Sequence, residues 1–140
     1  RPTQLEELGL IGGIEDWAKE RLQHQKITFL LENRCEKINL PHYISEHIFR
    51  ILQEGFNNIL KHANAKKVIF KICREDEQLH FILQDDGAGY DNSNPTIGLG
   101  LKNMKKRASK INADLEIISQ IGEGTVIELS IKDKGLMLDG

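Results

Sequence analysis

Residues 43–85 read YISEHIFRILQEGFNNILKHANAKKVIFKICREDEQLHFILQD, and within them the hydrophobic period changes once, from that of a helix to that of a strand. Up to His62 the apolar residues recur at steps of three and four. Ile48, Phe49, Leu52, Phe56, Ile59 and then Ala63 crowd one face, while His47, Arg50, Glu54, Asn57, Asn58 and Lys61 hold the other. Pro41 stands where a helix can begin, because its missing N–H would have no partner there anyway. From Lys67 to Arg74 the step is two, with Val68, Phe70 and Ile72 set against Lys67, Ile69 and Lys71. The acidic turn Glu75-Asp76-Glu77 joins this strand to a second over Gln78–Gln84, which predicts a hairpin. An amphipathic helix feeding a hairpin implies a sheet with a helix laid on it.

The flanks extend that pattern. Toward the N-terminus, Lys26–Glu32 is apolar and partly β-branched, a strand. Residues 3–23 have helical period through Leu5, Leu8, Ile11, Ile14, Trp17 and Ala18. Gly9, Gly12 and Gly13 weaken that helix by about 1 kcal/mol each relative to Ala, and a bend is expected near Gly12. Toward the C-terminus, residues 85–98 (DDGAGYDNSNPTIG) are turn-forming throughout. Leu99–Ile111 then reads as a helix that is basic along its exposed side, and Leu115–Gln120 and Thr125–Lys132 read as strands. The expected fold is a two-layer α/β (α+β) sandwich, with a mixed, mainly antiparallel sheet and helices on one face. At 140 residues the chain is one domain over 1–140, with 1–24 as linker and first helix and 133–140 as a C-terminal tail.

Composition narrows the function. Lys+Arg 19 against Asp+Glu 21 gives a net charge of −2, which offers no electrostatic case for nucleic acid as a partner. Cys35 and Cys73 have no metal-ligand spacing and read as free thiols in a reducing compartment. No apolar run approaches the roughly 20 residues that cross a bilayer, and the expected location is cytoplasmic, if only as the cytoplasmic portion of a membrane-anchored protein.

Three segments carry candidate chemistry. In the first, Glu54, Asn58 and Lys61 share one side of a helix: a carboxylate and a carboxamide suited to Mg²⁺ or its water shell, and a lysine suited to phosphate. Taken alone, this is also what the solvated face of any surface helix looks like. In the second, Asp85-Asp86-Gly87-Ala88-Gly89 follows an apolar strand. A carboxylate there can accept from an exocyclic amine, and glycines let backbone approach a ring; an acidic turn is the plainer alternative. In the third, Gly98-Leu99-Gly100-Leu101 precedes the basic helix and would offer backbone N–H groups to phosphate, although helix capping explains such glycines equally well.

Taken in order, ExxxN-xx-KHA over Glu54–Ala63, DxGxG over Asp85–Gly89, GLGLxNMxxR over Gly98–Arg107 and GxGT over Gly122–Thr125 resemble the four nucleotide motifs of the gyrase/Hsp90/histidine-kinase/MutL ATPase superfamily. The KHA ending and the GLGLxNM form resemble the sensor histidine kinases of the NarX/DesK type, and Arg1–Leu10 resembles the linker that leaves their dimerisation helices. The resemblance implies a Bergerat-type ATP-binding fold with ATP and Mg²⁺ as cofactors. It implies that Glu54 orients the transfer or a magnesium-bound water, that Asn58 is the Mg²⁺ ligand, and that Lys61 and His62 lie near the phosphates. Asp85 would recognise adenine, supported by Gly87, Gly89 and Thr125. Gly98, Leu99, Gly100 and Leu101 would form the hinge at the phosphate side, and Asp86 would be a variable spacer.

The implied reaction moves the ATP γ-phosphoryl to a histidine on a separate dimerisation domain of the same protein, and from there to a response regulator. The chain alone would be a monomer, and the full-length protein a homodimer. None of His24, His42, His47, His62 and His80 sits in a dimerisation hairpin, so the acceptor is expected outside these residues. His62 stands where many relatives carry a second asparagine. Tyr90–Ile97 would be a short lid, which predicts affinity for ATP no tighter than about 1 μM. A serine kinase of the anti-sigma-factor type and a catalytically silent nucleotide-dependent binding module are the rival readings.

Overall fold

The step from period 3.6 to period 2 marks the passage from one layer of the molecule to the other. The computed structural model describes residues 2–35, 37–90 and 95–133, with 95–97 described by main chain alone. The elements run α1 (Thr3–His24), β1 (Thr28–Asn33), α2 (His42–Asn58), β2 (Lys67–Glu75), β3 (Gln78–Asp85), α3 (Pro95–Lys110), β4 (Asp114–Ser119) and β5 (Thr125–Lys132). The sheet order is β1-β2-β3-β5-β4. β1 and β2 are parallel, as the intervening α2 crossover allows, and every other neighbouring pair is antiparallel. The sheet is therefore mixed and mainly antiparallel, as its sequence pattern predicts.

Register sets the buried face. Ile72 stands opposite Phe81 and Phe70 opposite Leu83 across β2–β3, and Phe81 meets Leu129 and Leu83 meets Ile127 across β3–β5. All of these are buried, together with Val68, Leu79 and Ile131. On α2, Ile48, Phe49, Leu52, Phe56 and Gly55 are buried, the face the helical period selects. Phe56 is the hub, meeting Trp17, Phe29 and Phe70 edge-on at 6.4, 5.8 and 5.9 Å between ring centres. Its complete burial contributes about 1.5–3 kcal/mol before the ring contacts are counted. The opposite sheet face mixes pairs such as Lys71–Glu32 and His80–Glu128 with a mostly apolar row, Leu30, Ile69, Gln84, Val126 and Ile118.

Three local features differ from the sequence reading. The break in α1 falls at Gly9 (φ 76, ψ −177), not near Gly12. There the chain turns the Gln4 carbonyl against Gly13, where a Cβ would lie 2.8 Å from it. The break also resets the helix phase, so Leu10 is buried while Leu8 is 52% exposed. α2 leaves α-geometry after Asn58 and finishes as a π-helical turn over Ile59–Ala63, closed by Asn64 in the left-handed region (φ 51). α3 begins at Pro95, not Leu99, so Gly98 and Gly100 lie within its first turns, not ahead of it. The lid expected over Tyr90–Ile97 falls partly on 91–94, which lie outside the described residues, as do the tail positions 134–140.

The first helix is part of the core. Leu5, Leu10, Ile14, Trp17, Ala18 and Leu22 are buried within the same cluster as α2 and the sheet. α1 ends on Lys26 at φ 60, with the Ile27 N–H donating to Leu22 and the Lys26 N–H to Gln23; α3 ends the same way on Asn112. These stops aim β1 and β4 back at the sheet.

Candidate functional site

Asp85 is the last residue of β3, paired with Thr125 at the start of β5, and is 5% exposed. Its Oδ1 accepts the Gly87 N–H at 2.8 Å. Burial pushes its carboxyl above the ordinary range. The Gly87 N–H pulls it back, the Asp86 charge raises it further, and the Thr125 N–H lowers it. A buried carboxylate held by two backbone donors retains lone pairs for a donor arriving from the cavity side.

The turn that follows is wedged from both sides. A Cβ at Gly87 would run into the Ala63 carbonyl, and the Ala88 N–H donates to that same carbonyl at 2.6 Å. On the far side, a Cβ at Gly89 (φ 68) would strike the Gln120 carbonyl, while the Ala88 carbonyl accepts the Gly122 N–H at 2.6 Å. Gly124 (φ 77) closes against the Asp85 carbonyl. Asp86 is more than the spacer the sequence reading takes it for. Its Oδ1 accepts the N–H groups of Lys66 and Lys67 at 2.8 and 2.9 Å, and these bonds hold its carboxyl below the ordinary range. The turn is thus tied to the end of α2, the start of β2 and the β4–β5 turn.

One cavity is lined by Gly55, Asn58, Ile59, His62 and Ala63 from the helical side and by Leu83, Asp85, Gly89, Tyr90, Thr125 and Ile127 from the sheet side. It holds about 390 Å³ of space, its open mouth included. Asp85 and Asn58, brought from a strand and a helix, therefore share one cleft. Leu83, Ile59 and Ile127 give it apolar walls suited to a flat ring. Three buried side-chain atoms of its lining residues, Asn58 Nδ2, His62 Nε2 and Tyr90 OH, have no hydrogen-bond partner among the described residues.

The remaining candidates are distributed around this cavity. His62 lines it beside Asp85, while Lys61, its neighbour in the π-helical turn, is exposed. Gly100 is buried against the helix face. A Cβ there would lie 2.6 Å from Glu54 Oε1 and 3.5 Å from Asn58 Oδ1, so the absence of a side chain lets α3 close on those two residues. Gly98 is exposed, with no atom of the described residues within 4 Å of an added Cβ; Leu99 is 61% exposed and Leu101 is half-buried. The structure does not bring Gly98 or Leu99 to the cavity wall.

Glu54 also borders an open groove between α2 and α3 lined by Arg50, Asn57, Lys106, Arg107 and Lys110. No carboxylate among the described residues forms an ion pair with these four cations. Their field is felt at His47, whose ring pKa is lowered first by burial and then by Arg107 and Lys110. Gly55, Ile59, Leu83 and Ile127 line the cavity without standing among the expected site residues, and Tyr90 is expected only as the start of a lid. Nothing in its spacing marks it, and only the turn that binds its N–H to Ser119 Oγ at 3.0 Å brings it to the cavity.

Residues 43–135 match the family model described as histidine kinase-, DNA gyrase B-, and HSP90-like ATPase. The chain is 33% identical over 135 residues to the signal transduction histidine-protein kinase/phosphatase UhpB of Salmonella typhimurium, covering 96% of this chain and 27% of that protein. It is 35% identical over 130 residues to the sensor protein VraS of Staphylococcus aureus, covering 92% of this chain and 37% of that one. It therefore spans about a third of the length of these relatives. In structure it is similar to the histidine kinase domain of the Erythrobacter litoralis EL346 blue-light activated histidine kinase, with a TM-score of 0.72 at 18% identity over 85% of this chain and 58% of that one.

Proposed function

Because this chain belongs to the histidine kinase-, DNA gyrase B- and HSP90-like ATPase family, we propose that it is the ATP-binding catalytic portion of a two-component sensor histidine kinase. It would transfer the γ-phosphoryl of ATP to a histidine on a dimerisation domain of the same protein, which then serves a response regulator. One observation carries the reading above the others: Asp85 and Asn58, 27 positions apart in the chain (85 − 58), line a single apolar cleft.

The residues fit an adenine nucleotide. Asp85 is an acceptor at the closed end, suited to an exocyclic amine, and its charge is fixed by backbone donors rather than by a counter-ion. Leu83, Ile59 and Ile127 suit the faces of the base. Asn58 and Glu54, one helical turn apart, stand toward the phosphates. Among the described residues no cluster of three or more His, Cys, Asp or Glu could hold a metal unaided. That suits Mg²⁺, which accepts one or two protein oxygens and completes its shell with water and phosphate. Asn58 would hold the ion, with Glu54 beside it. When bound, the ion supplies charge neutralisation at the triphosphate.

Phosphoryl transfer needs positioning and charge more than covalent help. Asp85 and its wedged turn fix the nucleoside half, which sets where the phosphate tail can reach. Glu54, half-buried at the edge of the basic groove, would orient the transfer or a magnesium-bound water. Lys61, exposed at the cleft's edge, can meet the tail by a change of rotamer. The N–H groups in the first turn of α3 lack helical partners and carry the positive end of the helix dipole.

The test is magnesium-dependent binding of ATP against GTP, followed by phosphorylation of a supplied histidine-bearing dimerisation domain. Preference for ATP, and transfer lost in Asn58→Asp with the fold intact, is the expected result. Equal binding of GTP, or transfer to serine in place of histidine, would overturn the reading.

A further inference from the structure

Tyr90 joins two observations that nucleotide recognition by Asp85 does not explain. Its main chain is fixed: the N–H donates to Ser119 Oγ at 3.0 Å, and that hydroxyl is itself held 2.7 Å from Thr125 Oγ1. Its far end is left over, because the hydroxyl is buried without a hydrogen-bond partner among the described residues while the residue lines the cavity beside Asp85. A buried donor without a partner costs free energy, and native structures keep few of them. Asn58 and His62, which line the same cavity, each also carry a buried side-chain atom without a partner among the described residues. Three such residues around one mainly apolar cleft leave hydrogen-bonding capacity that an entering molecule can satisfy.

We infer that Tyr90 is a binding residue whose hydroxyl donates a hydrogen bond to the adenosine half of the nucleotide, to a ring nitrogen or a ribose oxygen. This rests on the nucleotide reading of the cavity given above. The chemistry is complementary to that of Asp85. A carboxylate only accepts, while a neutral phenol donates. Burial, and then the Asp85 charge, push the Tyr90 phenol above its usual pKa, so it keeps its proton in the physiological range. An acceptor and a donor in one pocket match adenine, whose amine donates beside ring nitrogens that accept. Guanine reverses that order with a carbonyl beside an N–H.

Tyr90→Phe separates this role from a structural one, because the two predict opposite signs. A tyrosine needed for packing alone would leave affinity untouched, and one needed for the fold would lose stability on substitution. A ligand contact predicts that the empty Phe variant is as stable as the wild type or more so, since an unsatisfied buried hydroxyl has been removed. It also predicts that ATP and ADP both bind about three- to ten-fold more weakly, the worth of one neutral hydrogen bond. The same factor for both places the contact on the shared adenosine half; a loss confined to ATP would move it to the phosphates and overturn the assignment. Calorimetric titration of both nucleotides on both proteins gives the four affinities, and thermal melting of the nucleotide-free proteins gives the two stabilities. Unchanged affinity, or weaker binding matched by a lower melting temperature, would also overturn it. A wild type that binds neither nucleotide would instead break the underlying reading of the cavity. Repeating the titration with 2′-deoxy-ATP and 7-deaza-ATP on both proteins identifies the accepting atom, as the analogue whose penalty disappears in the Phe variant.

Discussion

Gly87 and Gly98 belong to two stretches that look alike in sequence, yet an added methyl would meet opposite fates at them. At Gly87 it would enter the Ala63 carbonyl; at Gly98 it would meet nothing within 4 Å among the described residues. The first stretch is a turn fixed by backbone on both sides. The second is an exposed first turn of helix, touching the site only through Gly100. The Asp85 end of the cleft is therefore built before a ligand arrives, whereas Gly98 shows no such backing among the described residues. On the proposed reading, this contrast would let the domain keep hold of its nucleotide while presenting the tail to a separate acceptor.

The largest test of that contrast is Gly87→Ala. The collision is with main chain, which cannot swing aside, so a loss of about 3 kcal/mol is expected, at the upper end for overpacking. It would appear as a lower urea midpoint at unchanged slope. Retention of wild-type stability would mean the turn is not wedged.

Asp85 and Asp86 sharpen the comparison within the turn itself, since adjacent carboxylates should respond to pH with opposite signs. Burial raises the Asp85 pKa above its ordinary 3.8, so its charge costs stability as pH rises from about that value through the folded one. Asp85→Asn should gain on the wild type over this window, while binding ATP at least tenfold less well, as expected for loss of a charged acceptor. Backbone bonds lower the Asp86 pKa below 3.8, so its contribution is present above that value and lost as pH falls through the folded one. Asp86→Asn should therefore lose ground to the wild type as pH rises across its own, lower window. Urea midpoints at a series of pH values, with calorimetric ATP titration at neutral pH, check both; matching signs would refute the assignment of roles.

Gly98→Ala carries the smallest effect and the reverse direction. An exposed glycine inside a helix weakens it, so alanine should stabilise the domain by up to about 1 kcal/mol. Thermal melting would show it. A loss would mean that the first turn of α3 is held by contacts other than those seen.

Much of this was readable from the sequence where one period ruled. The buried face of α2 and the alternation of β2 and β3 follow from spacing alone, because each packs against a single layer. The misplaced bend in α1 has a different origin. Gly9, Gly12 and Gly13 have equal propensity, and only the approach of the Gln4 carbonyl to Gly13 decides among them. The early start of α3 was announced by Pro95, a favoured first helical residue, but polar turn formers around it concealed the signal. Asp86 reads only as a spacer and Tyr90 only as the start of a lid because their partners, Lys66, Lys67 and Ser119, lie about 20 to 30 positions away. Local pattern carries no trace of such pairings.

The π-helical turn at Ile59–Ala63 has a consequence for how the domain breathes. Its last carbonyl is given to Ala88 instead of to the helix, so that turn cannot open without the strand-end turn opening too. Amide protons in the final turn of α2 should then exchange with solvent in step with those around Gly87, and not with the remainder of the helix. A ligand gripping only the carboxylate at the strand end would slow exchange in a helix one layer away.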